Sequence, residues 1–270
     1  MGTDLLGLEG KVAIVSGVGP GLGVSTARLL AEAGAKLVLA ARSSDRLEAL
    51  QQELAATGAE AIAVPTDLAD PRQAAGLAAA AFDAFGAVDV LVHNAFTAGA
   101  PAGVVDADYE DWRRIFEVNL YGPLELTKAC RPHLVRAAAE RGDASVVFVT
   151  SMAMRKVRVG DGAYAISKGS LHTTVKMLAL ELGPEQVRVN AVAPGWIDGP
   201  SVQQWITWDA SQRGVSEAEV RGEIEARIPL GQRIPTSDDI AGSVLLMASP
   251  RSLAVTGQTL DANGGEYFAQ

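Results

Sequence analysis

Residues 11–23 read KVAIVSGVGPGLG. The first six, Lys11–Ser16, form a continuous apolar run of strand length. The glycines behind them punctuate the chain before an alanine-rich amphipathic stretch, Leu22–Ala33. Strand, glycine-rich turn and helix thus follow one another without a gap. In such a turn Gly17, Gly21 and Gly23 let the backbone bend tightly and come close to a pyrophosphate. The helix opened by Leu22 offers unpaired N–H groups and a partial positive charge. A glycine cluster alone says little, since turns are rich in glycine. Its place between the first strand and the first helix makes it a dinucleotide-binding signal.

The same alternation continues outward. Strands are expected at Lys36–Ala41, Ala61–Pro65, Val88–His93, Ser145–Thr150, Val187–Val192 and Gln258–Asp261. Helices are expected at Asp45–Thr57, Asp70–Phe85, Asp108–Glu140 with a break at Gly122-Pro123, Tyr164–Leu182 and Ser237–Ala248. Continuous apolar strands separated by helices predict an α/β fold. It is a single doubly wound, Rossmann-type domain over residues 1–270, with a mostly or wholly parallel seven-stranded sheet and helices on both faces. Pro194–Pro235 is the least regular segment and holds three of the four tryptophans, Trp196, Trp205 and Trp208. Late in the chain and behind a strand, it reads as a substrate loop or lid, or equally as a surface insertion or subunit contact.

Composition narrows the function. Twenty-three basic residues against 32 acidic ones leave a net charge of −9, which disfavours nucleic acid and anionic membrane surfaces as partners. Cys130 is the single cysteine, so no internal disulfide forms. The start lacks a basic segment followed by an apolar one, and Leu6 stands where a myristoylation signal wants Ser or Thr. No apolar run has the length of a membrane span, and a cytoplasmic protein is expected. His93, His133 and His172 are scattered and suggest no metal site.

Tyr164 and Lys168 stand four residues apart in GAYAISK, on one face of the expected helix. A phenol titrates near 10, and a neighbouring ammonium favours the phenolate, so the pair can make an acid/base that works nearer neutrality. Ser151 ends the strand SVVFVTS on the ligand side of the sheet, and Asn119 sits inside the long helical region, where asparagine bends local hydrogen bonding.

The set Gly17-x-x-x-Gly21-x-Gly23, Asp67, His93-Asn94-Ala95, Asn119, Ser151, Tyr164-x-x-x-Lys168 and Pro194-Gly195, in that order, resembles the short-chain dehydrogenase/reductase family. The closest pattern is the branch that includes acyl-carrier-protein ketoreductases and hydroxysteroid dehydrogenases. The likeness runs from about Lys11 to Gly265. It implies Tyr164 as general acid/base. It implies that Lys168 binds the nicotinamide ribose and lowers the phenol pKa, and that Ser151 bonds the substrate oxygen. Asn119 would hold a water linking Lys168 to solvent. The cofactor would meet Gly17, Gly21, Leu22, Gly23, Arg42, Ser43, Asp67, Leu68, Asn94, Ala95, Tyr164, Lys168, Pro194, Gly195 and Ile197, with Asp67 at the adenine, Asn94 near the adenosine-side ribose and Ile197 at the carboxamide. A homo-oligomer, tetramer or dimer, is implied too, with Asp261–Gly265 at an interface. Two departures stand out: Phe96 replaces a glycine, and the threonine expected after Pro194-Gly195 is missing, with Ser201 nearby.

The second strand ends Leu39-Ala40-Ala41-Arg42-Ser43-Ser44. An acidic residue there would bind the ribose 2′-hydroxyl of NAD; a guanidinium suits the 2′-phosphate of NADP. NADP(H) is therefore expected ahead of NAD(H). The glycine turn itself adds no second cation. The first reading is hydride transfer between NADP(H) and a secondary alcohol or ketone, hydrophobic or alicyclic, as a small-molecule substrate. The same chemistry with NAD(H), and a non-catalytic nucleotide-binding regulatory protein, are the alternatives.

Overall fold

The computed structural model describes residues 4–269; the sequence readings on Met1, Gly2 and Gln270 lie outside it. Alternation within the first strand sets the layering. In β1 (Val12–Ser16), Val12 and Ile14 face one helical layer while Ala13 and Val15 face the other, and all four are fully buried. The first layer is built by α3 (Pro71–Phe85), α5 (Gly122–Arg141) and α6 (Gly162–Leu182). The second is built by α1 (Leu22–Glu32), α2 (Ser44–Ala56) and α9 (Ser237–Ala248). The remaining strands are β2 (Lys36–Ala41), β3 (Ala61–Pro65), β4 (Val90–His93), β5 (Ala144–Val149), β6 (Val187–Pro194) and β7 (Thr259–Ala262). All pairings are parallel and the order is β3-β2-β1-β4-β5-β6-β7. This is one Rossmann-like, doubly wound seven-stranded sheet, as the alternation predicts. The order reverses between β1 and β4, where ligands bind in such sheets.

Two expectations are corrected. The long helical region is not interrupted at Gly122-Pro123. Helix α4 (Tyr109–Phe116) runs through a π-helical turn, Glu117–Tyr121, into α5. Pro123 has no N–H to give to the Asn119 carbonyl, its α-helical partner, and the Gly122 N–H reaches back five residues to Glu117 instead. Pro194–Pro235 is not irregular either. It forms α7 (Pro200–Arg213) and α8 (Glu217–Glu225) around a small core of their own, with Trp196, Ile206, Val220, Ile224 and Ile228 buried. The mixed tryptophan, charged and apolar spacing hides that stripe, because these helices pack on each other and not on the sheet. Among the described residues no helix is long and apolar enough to cross a membrane, and no group of His, Cys, Asp and Glu could hold a metal ion.

The edge of the sheet opposite the ligand side is fastened by a buried ion pair. Arg188 of β6 is bidentate to Asp143 at 2.8 and 3.0 Å, and donates also to the Met247 and Ser249 carbonyls at the end of α9 and to the Ser252 hydroxyl. Asp143→Ala would leave the guanidinium buried without its counter-charge, and such losses run to about 3–5 kcal/mol. Urea denaturation should show a loss of that size; a loss under about 1 kcal/mol would contradict this role for the pair.

Candidate active site

The glycine turn is locked by contact. A Cβ on Gly17, where φ is +88°, would lie 2.3 Å from the Ala95 nitrogen, and one on Gly23 would lie 2.3 Å from the Gly17 carbonyl oxygen. The turn and the end of β4 are therefore in backbone contact, which only glycine permits. Asn94 Nδ2 donates to the Gly17 carbonyl at 2.7 Å and completes the lock. Asn94 also borders the cleft, with its amide nitrogen donating to the turn.

In front of the turn lies a cleft of about 300 Å³. Gly17, Leu22, Gly23, Arg42, Ser43, Asp67, Leu68, Asn94 and Ala95 all line it, as expected from the sequence. Helix α1 opens onto it with no side-chain cap and no acidic residue in its first turn, so its N–H groups are left for a ligand. Gly21, at φ +104°, sits outside this lining on a neighbouring hollow with Asp198 and Ser237. Pro194, Gly195 and Ile197 also stand apart from the cleft, at the end of β6. There Gly195 packs on Asn263, and Asp198 bridges to Thr236. The cleft residues not singled out from sequence include Arg46 on α2, Arg114 on α4 and Thr97. Arg42 and Arg46 have no ion-pair partner among the described residues, and both are exposed toward solvent. Their spacing on either side of a helix start was the available signal.

The geometry fits a dinucleotide. An uncapped helix N-terminus accepts a pyrophosphate, and two guanidinium groups, Arg42 just after β2 and Arg46 in the first turn of α2, accept further anionic charge.

The Tyr164–Lys168 pair forms as expected, on the buried side of α6. Lys168 is buried, and its Nζ donates to the Val149 carbonyl at 2.8 Å. Desolvation pulls that ammonium down to about 7. Nζ stands 6.0 Å from the Tyr164 ring centre and 5.6 Å from that of Phe96. Phe96 lines the cleft and also meets Tyr164 edge-on at 6.0 Å, so the residue that replaces glycine becomes a wall between the two halves of the site. Burial holds Tyr164 above its ordinary value, opposed by a hydrogen bond with the Ser151 side chain, while nearby Asp161 raises it and Arg158 lowers it. Ser151 caps the turn after β5, its Oγ accepting from the Ala153 N–H at 3.1 Å.

Asn119 is buried in the π turn. Its Oδ1 accepts from the Thr97 N–H at 2.8 Å, and its Nδ2 donates to the Thr97 carbonyl and to Ser167 Oγ, both at 2.9 Å. Ser167 Oγ in turn donates to the Tyr164 carbonyl at 2.8 Å. The side chain of Asn119 thus ties the loop after β4 to α6. The side-chain amide of Asn119 is thus taken up by Thr97 and Ser167, while Pro123 has no N–H to offer the Asn119 main-chain carbonyl. Ser167 was missed in the sequence, although a small hydroxyl three residues after Tyr164 is the natural partner for a helical carbonyl.

His93 is a core residue. Thr127 Oγ1 gives its proton to the Pro123 carbonyl and so accepts from His93 Nε2–H at 2.8 Å, while Phe148 stacks on the ring. Desolvation and the Lys168 charge pull its pKa down to about 3.

Comparison with known proteins places this geometry in a family. Residues 17–266 match a family model described as enoyl-(acyl carrier protein) reductase. The 7alpha-hydroxysteroid dehydrogenase of Escherichia coli strain K12 is 30% identical over 97% of this chain and 96% of that protein. Cis-4-hydroxycyclohexanecarboxylate dehydrogenase of Sinomonas cyclohexanicum is 33% identical over 94% and 96%. Among solved structures, an actinorhodin polyketide ketoreductase with NADPH superposes with a TM-score of 0.87 at 30% identity, covering 98% of this chain and 99% of that one. A 7alpha-hydroxysteroid dehydrogenase complex with NADH superposes at 0.85, also at 30% identity, covering 98% and 97%.

His93 supplies a stability test. A histidine that stays neutral when folded but titrates near 6.5 when unfolded costs stability as pH falls below about 6.5. Between pH 7.5 and 5 the loss should be about 2 kcal/mol smaller in His93→Asn than in the wild type, by urea denaturation. Equal pH dependence in the two proteins would show that His93 is protonated inside the fold.

A switch-point cleft behind a glycine turn, a Tyr-x-x-x-Lys pair under it and full-length similarity to these dehydrogenases and reductases lead to one conclusion: the chain belongs to the short-chain dehydrogenase/reductase family of oxidoreductases.

Proposed function

We propose that this protein interconverts a ketone and a secondary alcohol with NADP(H), with ketone reduction as the favoured direction. The observation that carries the reading is the grouping of the Tyr164 phenol with Lys168 one helical turn away, with burial favouring the protonated phenol and the Ser151 side chain opposing it. A neutral phenol is a proton donor, and carbonyl reduction needs one where negative charge develops on oxygen.

NADPH, when bound, supplies the hydride. Ser151 orients the carbonyl oxygen, and the Tyr164 hydroxyl gives that oxygen its proton. Lys168, with one N–H on the Val149 carbonyl, has two left for the ribose hydroxyls of the nicotinamide half. The Asn119 carbonyl, freed by Pro123, is where a water resupplying Lys168 would bond. Gly17, Gly23 and the start of α1 take the pyrophosphate. Arg42 and Arg46, with Ser43 between them, take the 2′-phosphate, and the second cation absent from the glycine turn comes from α2 instead. Asp67 and Leu68 border the adenine end. Ile197 packs against the core behind the nicotinamide end, and the α7–α8 segment walls the substrate side. The exposed ring of Phe96, which meets Tyr164 edge-on, suits a hydrophobic or alicyclic substrate, as the names of several relatives also suggest.

Two measurements test the reading. Equilibrium titration at fixed salt should show NADPH bound at least about tenfold more tightly than NADH, with the preference lost in the Arg42→Ala, Arg46→Ala double variant. Tighter NADH binding would refute the 2′-phosphate assignment. Tyr164→Phe should still bind NADPH and lose about 10²–10⁴-fold in kcat for ketone reduction. Turnover near the wild-type level in that variant would remove Tyr164 as the acid/base.

A further inference from the structure

The loop between Ser151 and Tyr164 carries a cation that none of the chemistry above uses. Arg158 lays its guanidinium 4.7 Å from the ring centre of Trp196 and 5.4 Å from that of Trp205, the two indoles being in tilted contact at 4.8 Å. Its Nε and one terminal nitrogen bond Asp161 Oδ2, both at 2.9 Å. The edge formed by its two terminal nitrogens has no partner among the described residues, and the side chain is partly open to solvent. A guanidinium held by two aromatic faces and one carboxylate is fixed in orientation before any ligand arrives, so little entropy is lost when the free edge is used. The other two cations of this stretch are already committed: Arg155 pairs with Asp261, and Lys156 with Glu266 at 2.9 Å.

Arg158 is also tied to the start of the helix that carries Tyr164. The Asp161 that holds it opens α6 three residues before Tyr164, and Ala102 pairs with Asp161, its N–H donating to the Gly160 carbonyl at 3.0 Å. The loop that follows β4 is thereby clasped to the Arg158 loop. Their exposed apolar side chains, among them Val104, Val105, Val157 and Val159, lie on both sides of that clasp. Apolar surface of this kind beside one oriented cation describes a ligand with a hydrophobic body and an anionic end.

We infer that the substrate of this protein is a hydrophobic keto acid or hydroxy acid whose carboxylate is read by the free edge of Arg158. The inference rests on the proposed ketone–alcohol reaction and specifies its substrate class. A carboxylate fits better than a phosphate. One planar edge matches two oxygens, and Asp161 beside it repels a second negative charge.

The test uses a matched pair of ketones with NADPH, 4-oxocyclohexanecarboxylate and its methyl ester. In the wild type kcat/KM should favour the acid, and in Arg158→Gln the acid-to-ester ratio should fall at least about tenfold. Asp161→Asn, which frees the guanidinium, should move the ratio the other way, so a folding defect cannot imitate the pattern. Tryptophan fluorescence gives a reading that needs no turnover. Cyclohexanecarboxylate should produce a saturable change in the wild type that is lost in Arg158→Gln, while cyclohexanemethanol should produce none. An unchanged ratio in Arg158→Gln, or identical fluorescence titrations in wild type and variant, would overturn the assignment of Arg158. Turnover of neither ketone together with Arg158-dependent carboxylate binding would instead overturn the proposed reaction and leave the anion site standing.

Discussion

Burying an ammonium group is expensive, and much of the ligand side of this protein is arranged around the burial of Lys168. A shift from the ordinary lysine range to about 7 corresponds to on the order of 5 kcal/mol against the charged form. One carbonyl, that of Val149, offsets part of it. The position of that carbonyl is set by β5, which is fully buried between β4 and β6. The position of Lys168 is set by α6, which is pinned through Ser167 and Asn119 to the loop after β4. Sheet, helix and loop therefore meet at a single polar, water-poor point, with Tyr164 one turn away along the same helix.

The cofactor cleft depends on the same loop. Thr97, held by Asn119, follows Asn94 and Ala95, which in turn hold the glycine turn in its left-handed course at Gly17. A hydrogen-bonded line thus runs from the start of α1 through the loop after β4 to α6, and the two halves of the site cannot be displaced independently. Phe96 lies in the middle of this line, with its ring shared between the cleft and the Tyr164–Lys168 pair.

Much of this was legible in the sequence because it is local. Apolar runs gave each strand to within two residues, and the alternation of strand and helix led to the parallel, doubly wound sheet. Gly17, Tyr164 and Lys168 stood in patterns with a direct physical reading. Other features depend on partners distant in sequence. The π turn follows from Pro123 acting on Asn119, which looks like a simple helix break when read as a glycine-proline step. The α7–α8 pair was hidden because its apolar stripe faces its own small core. Arg46 becomes relevant only when β2 and α2 bring it beside Arg42. The direction of the Tyr164 shift follows from burial outweighing its hydrogen bond, a balance that spacing alone does not contain.

We propose that burial in this fold favours the proton-bearing form of the Tyr164 phenol. Carbon-13 NMR of protein labelled at tyrosine Cζ measures this directly, with the Tyr164 resonance assigned by its loss in Tyr164→Phe. As pH is raised, Tyr164 should ionise above the value near 10 of an ordinary phenol. Ionisation of Tyr164 at or below that value would contradict it, and would mean that positive charge, not burial, governs the group.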